Sequence, residues 1–268
     1  MKLSIVIPAH NEGGCIENTI RALHDKLSAE RVEHEILVVN DGSSDNTGDI
    51  VLQLQNEITT LNCVVNPGPN GFGFAVRKGL ECFSGEAVAV YMADASDSPE
   101  DLVRFFRAME ERNVDCVFGT RFANGARVTG YPRFKLVLNR LANTFIKVLF
   151  GFRYNDVTNA FKLYRRHVIE GLQPLLSHHF NLTVELPLKS IVRGYSYAVL
   201  PNDWINRKTG TSKLIVQEMG SRYLFIVLYC FIEKWLSMKD YHRTKSQELS
   251  DSRSSQAGFK DVDIRTRY

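Results

Sequence analysis

No stretch of this sequence holds the ~18 consecutive apolar residues that a membrane-spanning helix needs. No C-x-x-C pair occurs among its five cysteines, Cys15, Cys63, Cys82, Cys116 and Cys230. Their wide spacing and odd number argue against a disulfide framework and for buried free thiols in a reducing compartment. No G-x-G-x-x-G follows the first apolar run, which argues against a dinucleotide site of dehydrogenase type. No G-x-x-x-x-G-K-[ST] marks a phosphate loop either. Charge of one sign is scarce: 33 basic against 30 acidic residues leave +3. That is too little to argue for nucleic acid. The opening "MKLSIVIPAH" carries a short apolar run cut by a proline, which reads as a strand and not as a signal peptide.

What is present is a mixed composition, 44% apolar and 24% charged, suited to one globular domain with appendages. Short continuous apolar runs alternate with helical periodicity over the first ~125 residues. "LSIVIPA" precedes Ile16, Ile20, Leu23 and Leu27 at helical spacing. "EILVVND" precedes a polar turn, where Asp45 reads as a helix cap, and then Ile50, Val51, Leu54 and Ile58. "LNCVVN", "EAVAVYMAD" and "VDCVFGTRF" are further strand candidates. "GFGFAVRKGLECF" reads as a glycine-opened helix. "SPEDLVRFFRAMEER" reads as a helix with Ser98 as N-cap and Pro99 in the first position. This alternation predicts an α/β fold: a mostly parallel, Rossmann-like sheet with helices on both faces.

Ligands of such sheets bind at the carboxyl ends of the strands. Those ends hold Pro8, His10, Asn11 and Glu12 after the first strand, and Asp41 after the second. Asp94 to Asp97 follow the fourth, and Arg121 the fifth. A single Asp after a strand is ordinarily a cap or a solvated turn. Three carboxylate stations and an arginine on one edge are harder to assign to caps alone.

The second half differs. Residues ~126–150 are very apolar, yet carry Arg133, Lys135, Arg140 and Lys147. Read as a helix, Leu138, Leu141, Phe145 and Leu149 fall on one stripe. The segment is either a core helix or an amphipathic helix lying on a membrane surface. Tyr223 to Ile232 is an apolar run of ten residues, which suits a buried or interfacial helix. The expected organisation is a catalytic domain over 1–215, with a nucleotide-binding half (1–125) and an acceptor half (126–215). An amphipathic helical segment (216–238) and a disordered polar tail (239–268) follow.

Seven segments in order carry a family resemblance: "IVIPAHNE", "EILVVNDGSSDNT", "NGFGFAVRKGL", "MADASDSPEDL", "GTRF", "DVTNAFKLYRR" and "INRKTGTSKL". Together they resemble the inverting family 2 glycosyltransferases of GT-A fold, most closely the dolichol-phosphate mannosyltransferase branch. The resemblance covers roughly residues 3–215. It implies that Pro8, His10, Glu12 and Asp41 contact the nucleoside of a GDP- or UDP-sugar donor. It makes Asp94 the metal-binding acid of the family's D-x-D motif, with Mg²⁺ or Mn²⁺ as cofactor. Arg121 would flank the donor, and Lys135, Arg207, Ser212 and Lys213 would hold phosphates. Asp156 and Lys162 belong to the D-x-T-x-G-F-[RK] segment that buttresses the acceptor side, here "DVTNAFK".

The chemistry points the same way. Cleaving a nucleotide-sugar builds negative charge on the leaving diphosphate. A divalent cation held by few carboxylates stabilises it, and arginines and lysines share it. One departure stands out. Methionine occupies position 92, where the motif's first acid belongs, and a thioether is a poor ligand for a hard cation. Either Asp97 supplies the missing oxygen, making a D-x-x-D site with Asp94, or Asp94 and the diphosphate hold the metal alone.

A hydroxyl acceptor needs a general base, for which Glu185 and Asp203 are the candidates; a phosphate acceptor is already anionic. The absence of a clear base and the two amphipathic segments favour a polyprenyl-phosphate acceptor. The enzyme would then be cytoplasmic and peripheral on the membrane, with no nucleic-acid partner. The alternatives are a glycan-extending transferase, or a nucleotide-sugar-binding protein whose metal site has decayed.

Overall fold

The computed structural model describes residues 1–205, 216–238 and 240–242. Arg207, Ser212, Lys213 and nearly all of the expected tail lie outside the described residues. Strands β1 (Leu3–Ala9), β2 (His34–Asn40), β3 (Leu61–Val65), β4 (Ala87–Val90) and β5 (Cys116–Thr120) alternate with α1 (Ile16–Ala29), α2 (Thr47–Gln55), α3 (Phe72–Cys82) and α4 (Pro99–Glu111). Then come β6 (Val128–Thr129), α5 (Arg133–Phe150), β7 (Lys162–Arg165), α6 (Arg166–Gly171) and α7 (Leu182–Val192). Strands β8 (Tyr197–Pro201) and β9 (Trp204–Ile205) and helix α8 (Val216–Leu236) complete the order.

Seven strands form one sheet in the order β3-β2-β1-β4-β7-β5-β8. All pairs are parallel except those of β7, which runs antiparallel between β4 and β5. Side chains alternate across the pleat. Val6, Leu37, Val39, Val88 and Phe118 enter the core covered by α3, α5, α7 and α8. Ile5, Ile7, Ile36, Val38 and Val117 enter the core covered by α1, α2 and α4. Both faces of the central strands are buried, so β1, β2, β4 and β5 are mostly apolar, as buried parallel strands are, while the edge strand β3 is partly exposed.

Local signals act as read at α4. Ser98 Oγ accepts from the Asp101 amide at 3.4 Å, with Pro99 opening the helix. Asp45 is not the cap expected: the N-cap of α2 is Asn46, with no side-chain cap bond, and the Asp45 carboxylate one residue earlier accepts from Thr47 N and Gly13 N, each at 3.0 Å, tying the turn to the loop after β1. The apolar stretch before Asp94 is strand only to Val90. Tyr91 still donates its amide to Val6. Its phenol then donates to the Asp97 carbonyl, which closes the chain into a turn. Two more expectations need correction. Only Cys116 and Cys230 are buried, while Cys82 is exposed. The helix expected over ~126–150 begins at Arg133, after the short strand β6. Among the described residues, no helix is long and apolar enough to cross a membrane.

Candidate active site

The acidic corner follows from a tight turn. Asp94 Oδ1 accepts from the Ser96 amide at 3.1 Å, across Ala95 at φ +55°. This left-handed conformation is unfavourable for alanine and marks a held geometry. The turn brings Met92, Asp94, Ser96 and Asp97 to the wall of one cavity of about 540 Å³. Arg121 and Lys135 line the same cavity. Asp97 is only 5% exposed. Burial, and then the charge of Asp94, push its carboxyl up to about 7.

Arg121 is held by Asp156, which is fully buried. The guanidinium donates Nε to Oδ2 at 2.9 Å and Nη2 to Oδ1 at 2.8 Å, and the Arg121 amide donates to Oδ2 as well. Phe122 and Tyr131 lie 5.5 Å from it and Trp204 6.0 Å, in cation–π geometry. Burial opposes this charge, but Asp156 overcomes it and holds the guanidinium above its ordinary value.

Residues 155–160 form the hub behind the cavity. Lys162, 1% exposed, donates Nζ to the carbonyls of Val157, Asn159 and Thr183. Burial pulls its amine down to about 7 against the pull of Asp156. Such a group stabilises the fold above about 10.5, and that contribution is lost as pH falls to about 7. The free-energy advantage of the wild type over Lys162→Met should therefore grow between pH 7 and 9.5 in urea unfolding. A shrinking advantage would show that the three carbonyls favour the ammonium. At pH 9.5 the variant should lose at least about 2 kcal/mol, since the carbonyls lose their donor.

Helix α5 docks on this hub through polar contacts. Asn139 donates to Thr158 Oγ1 at 2.7 Å, and buried Asn143 donates to the same oxygen at 3.0 Å. Arg140 donates to the Asn155 carbonyl at 3.1 Å and stacks 4.4 Å from the Phe122 ring. The apolar side of the cavity is then built by Leu138, Ala142, Phe145 and Ile146 of α5 with Tyr223, Leu224 and Val227 of α8. Leu138 and Phe145 of the expected stripe face the cavity, whereas Leu141 is 63% exposed. So α5 is not a core helix. It buries only Asn143, Ile146 and Phe150.

The expected nucleoside group lies along the same sheet edge and does not line the cavity. His10 Nδ1 is 2.7 Å from the Asp41 carbonyl oxygen. The buried Asp41 carboxylate accepts from Asn66 Nδ2 at 2.6 Å and Gly71 N at 2.7 Å. It therefore shapes the entry to α3 as well as the loop after β2. Glu12 accepts from Cys15 Sγ at 3.3 Å, and its amide donates to Thr47 Oγ1. Pro8 is half-buried at the end of β1.

Both candidate bases need correction. Glu185 is fully buried in an ion pair with Lys189 at 2.6 Å and accepts from the amides of Leu176 and Ser177. It braces the loop before α7 and does not line the cavity. Glu185→Gln should cost about 3–5 kcal/mol of stability by leaving buried Lys189 without its carboxylate. Turnover of the folded variant should stay within about threefold, since each tenfold needs ~1.4 kcal/mol at the transition state. A fully folded Glu185→Gln protein without activity would restore it as a base. Asp203 accepts from the Arg127 amide at 2.8 Å, and its own amide donates to Asp101, so it ties loops together.

Sequence reasoning missed Trp204, Tyr131, Asn139, Thr158 and Phe180 as cavity residues. The pair Asn139 and Asn143, four apart in an apolar helix, was the one available signal. Polar side chains on such a face have to be satisfied by something.

The glycosyl transferase family 2 model matches residues 4–172. The polyprenol monophosphomannose synthase of Mycolicibacterium smegmatis is 30% identical over 216 residues, covering 78% of this chain and 80% of the relative. The undecaprenyl-phosphate mannosyltransferase of Micrococcus luteus is 25% identical over 246 residues, covering 89% and 98%. Among solved structures, glucosyl-3-phosphoglycerate synthase from Mycobacterium tuberculosis, in complex with Mn²⁺, UDP and glucosyl-3-phosphoglycerate, superimposes with a TM-score of 0.64 at 16% identity. That match covers 87% of this chain and 79% of the other.

Proposed function

The chain belongs to glycosyl transferase family 2, and from that premise we infer that it transfers a hexosyl group from a GDP- or UDP-sugar to a polyprenyl phosphate. The observation that carries the acceptor is the cavity itself. Its wall combines Asp94, Asp97, Arg121 and Lys135 with apolar side chains of α5 and α8. A charged head and an isoprenoid tail need those two environments side by side. The two relatives are named for mannose transfer to such lipids, so mannose is the first sugar to test.

The acid pair suits a divalent cation. Burial first, and the crowding negative charge of Asp94 second, raise the Asp97 carboxyl. A cation shared by the two carboxylates relieves that crowding. Among the described residues no cluster of three or more His, Cys, Asp or Glu exists, so the other ligands would be phosphate oxygens and water. Bound there, the ion would supply Lewis-acid stabilisation of the leaving diphosphate. Lys135, which lines the same cavity, would meet phosphate oxygens. Arg121, locked by Asp156, would offer its aromatic-boxed cation without reorganising. A phosphate acceptor attacks as an anion, so this reading needs no side-chain base, in keeping with the buried pairing of Glu185.

The outer faces of the two helices support a place on the membrane surface. On α5, Phe134, Leu141 and Val148 are exposed, the last to 75%; on α8, Trp235 and Leu236 are exposed, the last to 73%. Helix α5 contains no acidic residue and four basic ones. An apolar face with cationic flanks is the pattern of an interfacial helix. Residues 1–215 would act as the catalytic domain, with α8 completing its cavity wall and presenting a membrane-facing side.

Incubating the protein with Mn²⁺, GDP-mannose or a UDP-hexose, and undecaprenyl or dolichyl phosphate should yield a lipid-linked sugar extractable into organic solvent. Turnover only with a soluble saccharide acceptor would sink the lipid reading.

A further inference from the structure

The first turns of α8 separate two cavities. Gly220, Tyr223, Leu224 and Val227 face the apolar cavity described above. Ser221, Arg222 and Phe225 face a second, open pocket of about 490 Å³. At ~100° per residue these two sets point to nearly opposite sides of the helix. The far wall of the second pocket is the loop before α7, which contributes His178, His179 and Asn181. No carboxylate lines it among the described residues. One guanidinium, two imidazoles, an amide and a hydroxyl are a donor set for phosphate oxygens.

The pocket is built on a firm base. Phe74 stacks on His178 at 4.6 Å, and Phe72 on Phe180 at 4.4 Å. A Cβ on Gly73 would meet the His178 backbone at 2.3 Å, so the loop is packed directly on α3. Helix α8 is fixed as well. Arg193 donates Nε to Glu233 at 2.7 Å in a buried pair, and Lys234 donates to the Phe150 carbonyl at 2.7 Å.

An apolar stripe leaves this pocket. Phe225, Leu228, Ile232, Trp235 and Leu236 are all exposed and follow helical spacing along one side of α8. Phe225 belongs to both the pocket and the stripe. A soluble anion would use the donors and leave the stripe bare. A phospholipid uses both, with its headgroup among the donors and its acyl region along the stripe.

We propose that the pocket between α8 and the 176–181 loop binds the phosphate headgroup of an anionic membrane lipid that is not the acceptor. This rests on the membrane-surface reading above and adds a specific headgroup site to it.

Co-sedimentation of the full chain with phosphatidylcholine vesicles, with and without one third phosphatidylglycerol, tests it. Wild type should bind the anionic vesicles about tenfold more tightly. Arg222→Gln should lose about fivefold on anionic vesicles and nothing on neutral ones, the size expected for one near-surface cation. Ser221→Asp, at an exposed position, should lose at least as much by placing a negative charge in the pocket. Arg112→Gln, an exposed arginine at the end of α4 and outside both the pocket and the membrane-facing helices, should stay within twofold of wild type. Equal binding of wild type to both vesicle types overturns the headgroup site and leaves the membrane reading standing. So does a loss in Arg112→Gln as large as in Arg222→Gln, which would mean diffuse attraction. No binding to either vesicle type overturns the membrane reading and the site together.

Discussion

Asp94→Asn should reduce turnover by about a thousandfold while leaving the protein folded. Asp94 is half-buried, and its Oδ1 accepts from the Ser96 amide. Asparagine keeps an oxygen for that bond, so the turn through Ala95 survives. What is lost is the negative charge that the chemistry places opposite Lys135 and Arg121. A divalent ion held by carboxylates and diphosphate contributes several kcal/mol to the leaving group's charge stabilisation, and ~4 kcal/mol is about a thousandfold. The measurement is single-turnover transfer at saturating donor, beside a melting curve. A variant with near-normal turnover would remove Asp94 from the metal corner. Relief of carboxylate crowding should also raise, or leave unchanged, the melting temperature of the metal-free protein.

Much of the fold could be read from the sequence because parallel strands are apolar on both faces and helices between them are not. The runs around Ile5, Val38 and Val88 are therefore visible without tertiary knowledge, as is the Ser98–Pro99 helix start. The acidic residues at the strand ends could be placed on one edge because chain direction fixes which end of a parallel strand each loop follows. The reversed strand β7 could not be placed. "KLYR" is four residues long, and nothing local records whether it enters the sheet parallel or antiparallel. The fate of long-range pairs was hidden too. Glu185 and Lys189 are four apart on a helix, a spacing usually found on solvated faces. Here the pair is buried because the loop before α7 needs a carboxylate to satisfy the Leu176 and Ser177 amides. Helix α5 shows the same limit. Its apolar residues surround most of the helix, so periodicity alone could not say which face met the cavity and which met solvent. The polar contacts of Asn139, Arg140 and Asn143 with residues 155–158 settle that orientation.

Asp97→Ala should raise the Mn²⁺ concentration required for half-maximal turnover by about a hundredfold, with most of the maximal rate recovered at saturating metal. Two geometries were open once Met92 took the place of the first acid. In one, Asp97 is only a buried residue ahead of the α4 cap. In the other it is the displaced second carboxylate. Asp97 lines the same cavity as Asp94, Ser96 and Met92, although its own carbonyl is tied to Tyr91. A carboxyl brought to 5% exposure beside another acid costs stability unless something positive compensates. Arg121 lowers its pKa, but that guanidinium is already committed to Asp156 in a bidentate pair. The uncompensated charge is what a cation would take up. Even an outer-shell partner of a metal ligand can be worth up to ~100-fold in metal affinity, so a direct ligand should reach that size. Isothermal titration of Mn²⁺ into the UDP- or GDP-bound protein measures the affinity independently of turnover. Asp97→Ala with wild-type metal affinity would leave Asp94 and the diphosphate as the whole of the site. In that case Met92→Asp, which restores the motif's first acid, should tighten metal binding in the wild-type background. If Asp97 is already a ligand, the same substitution should add little and crowd a third carboxylate into the corner.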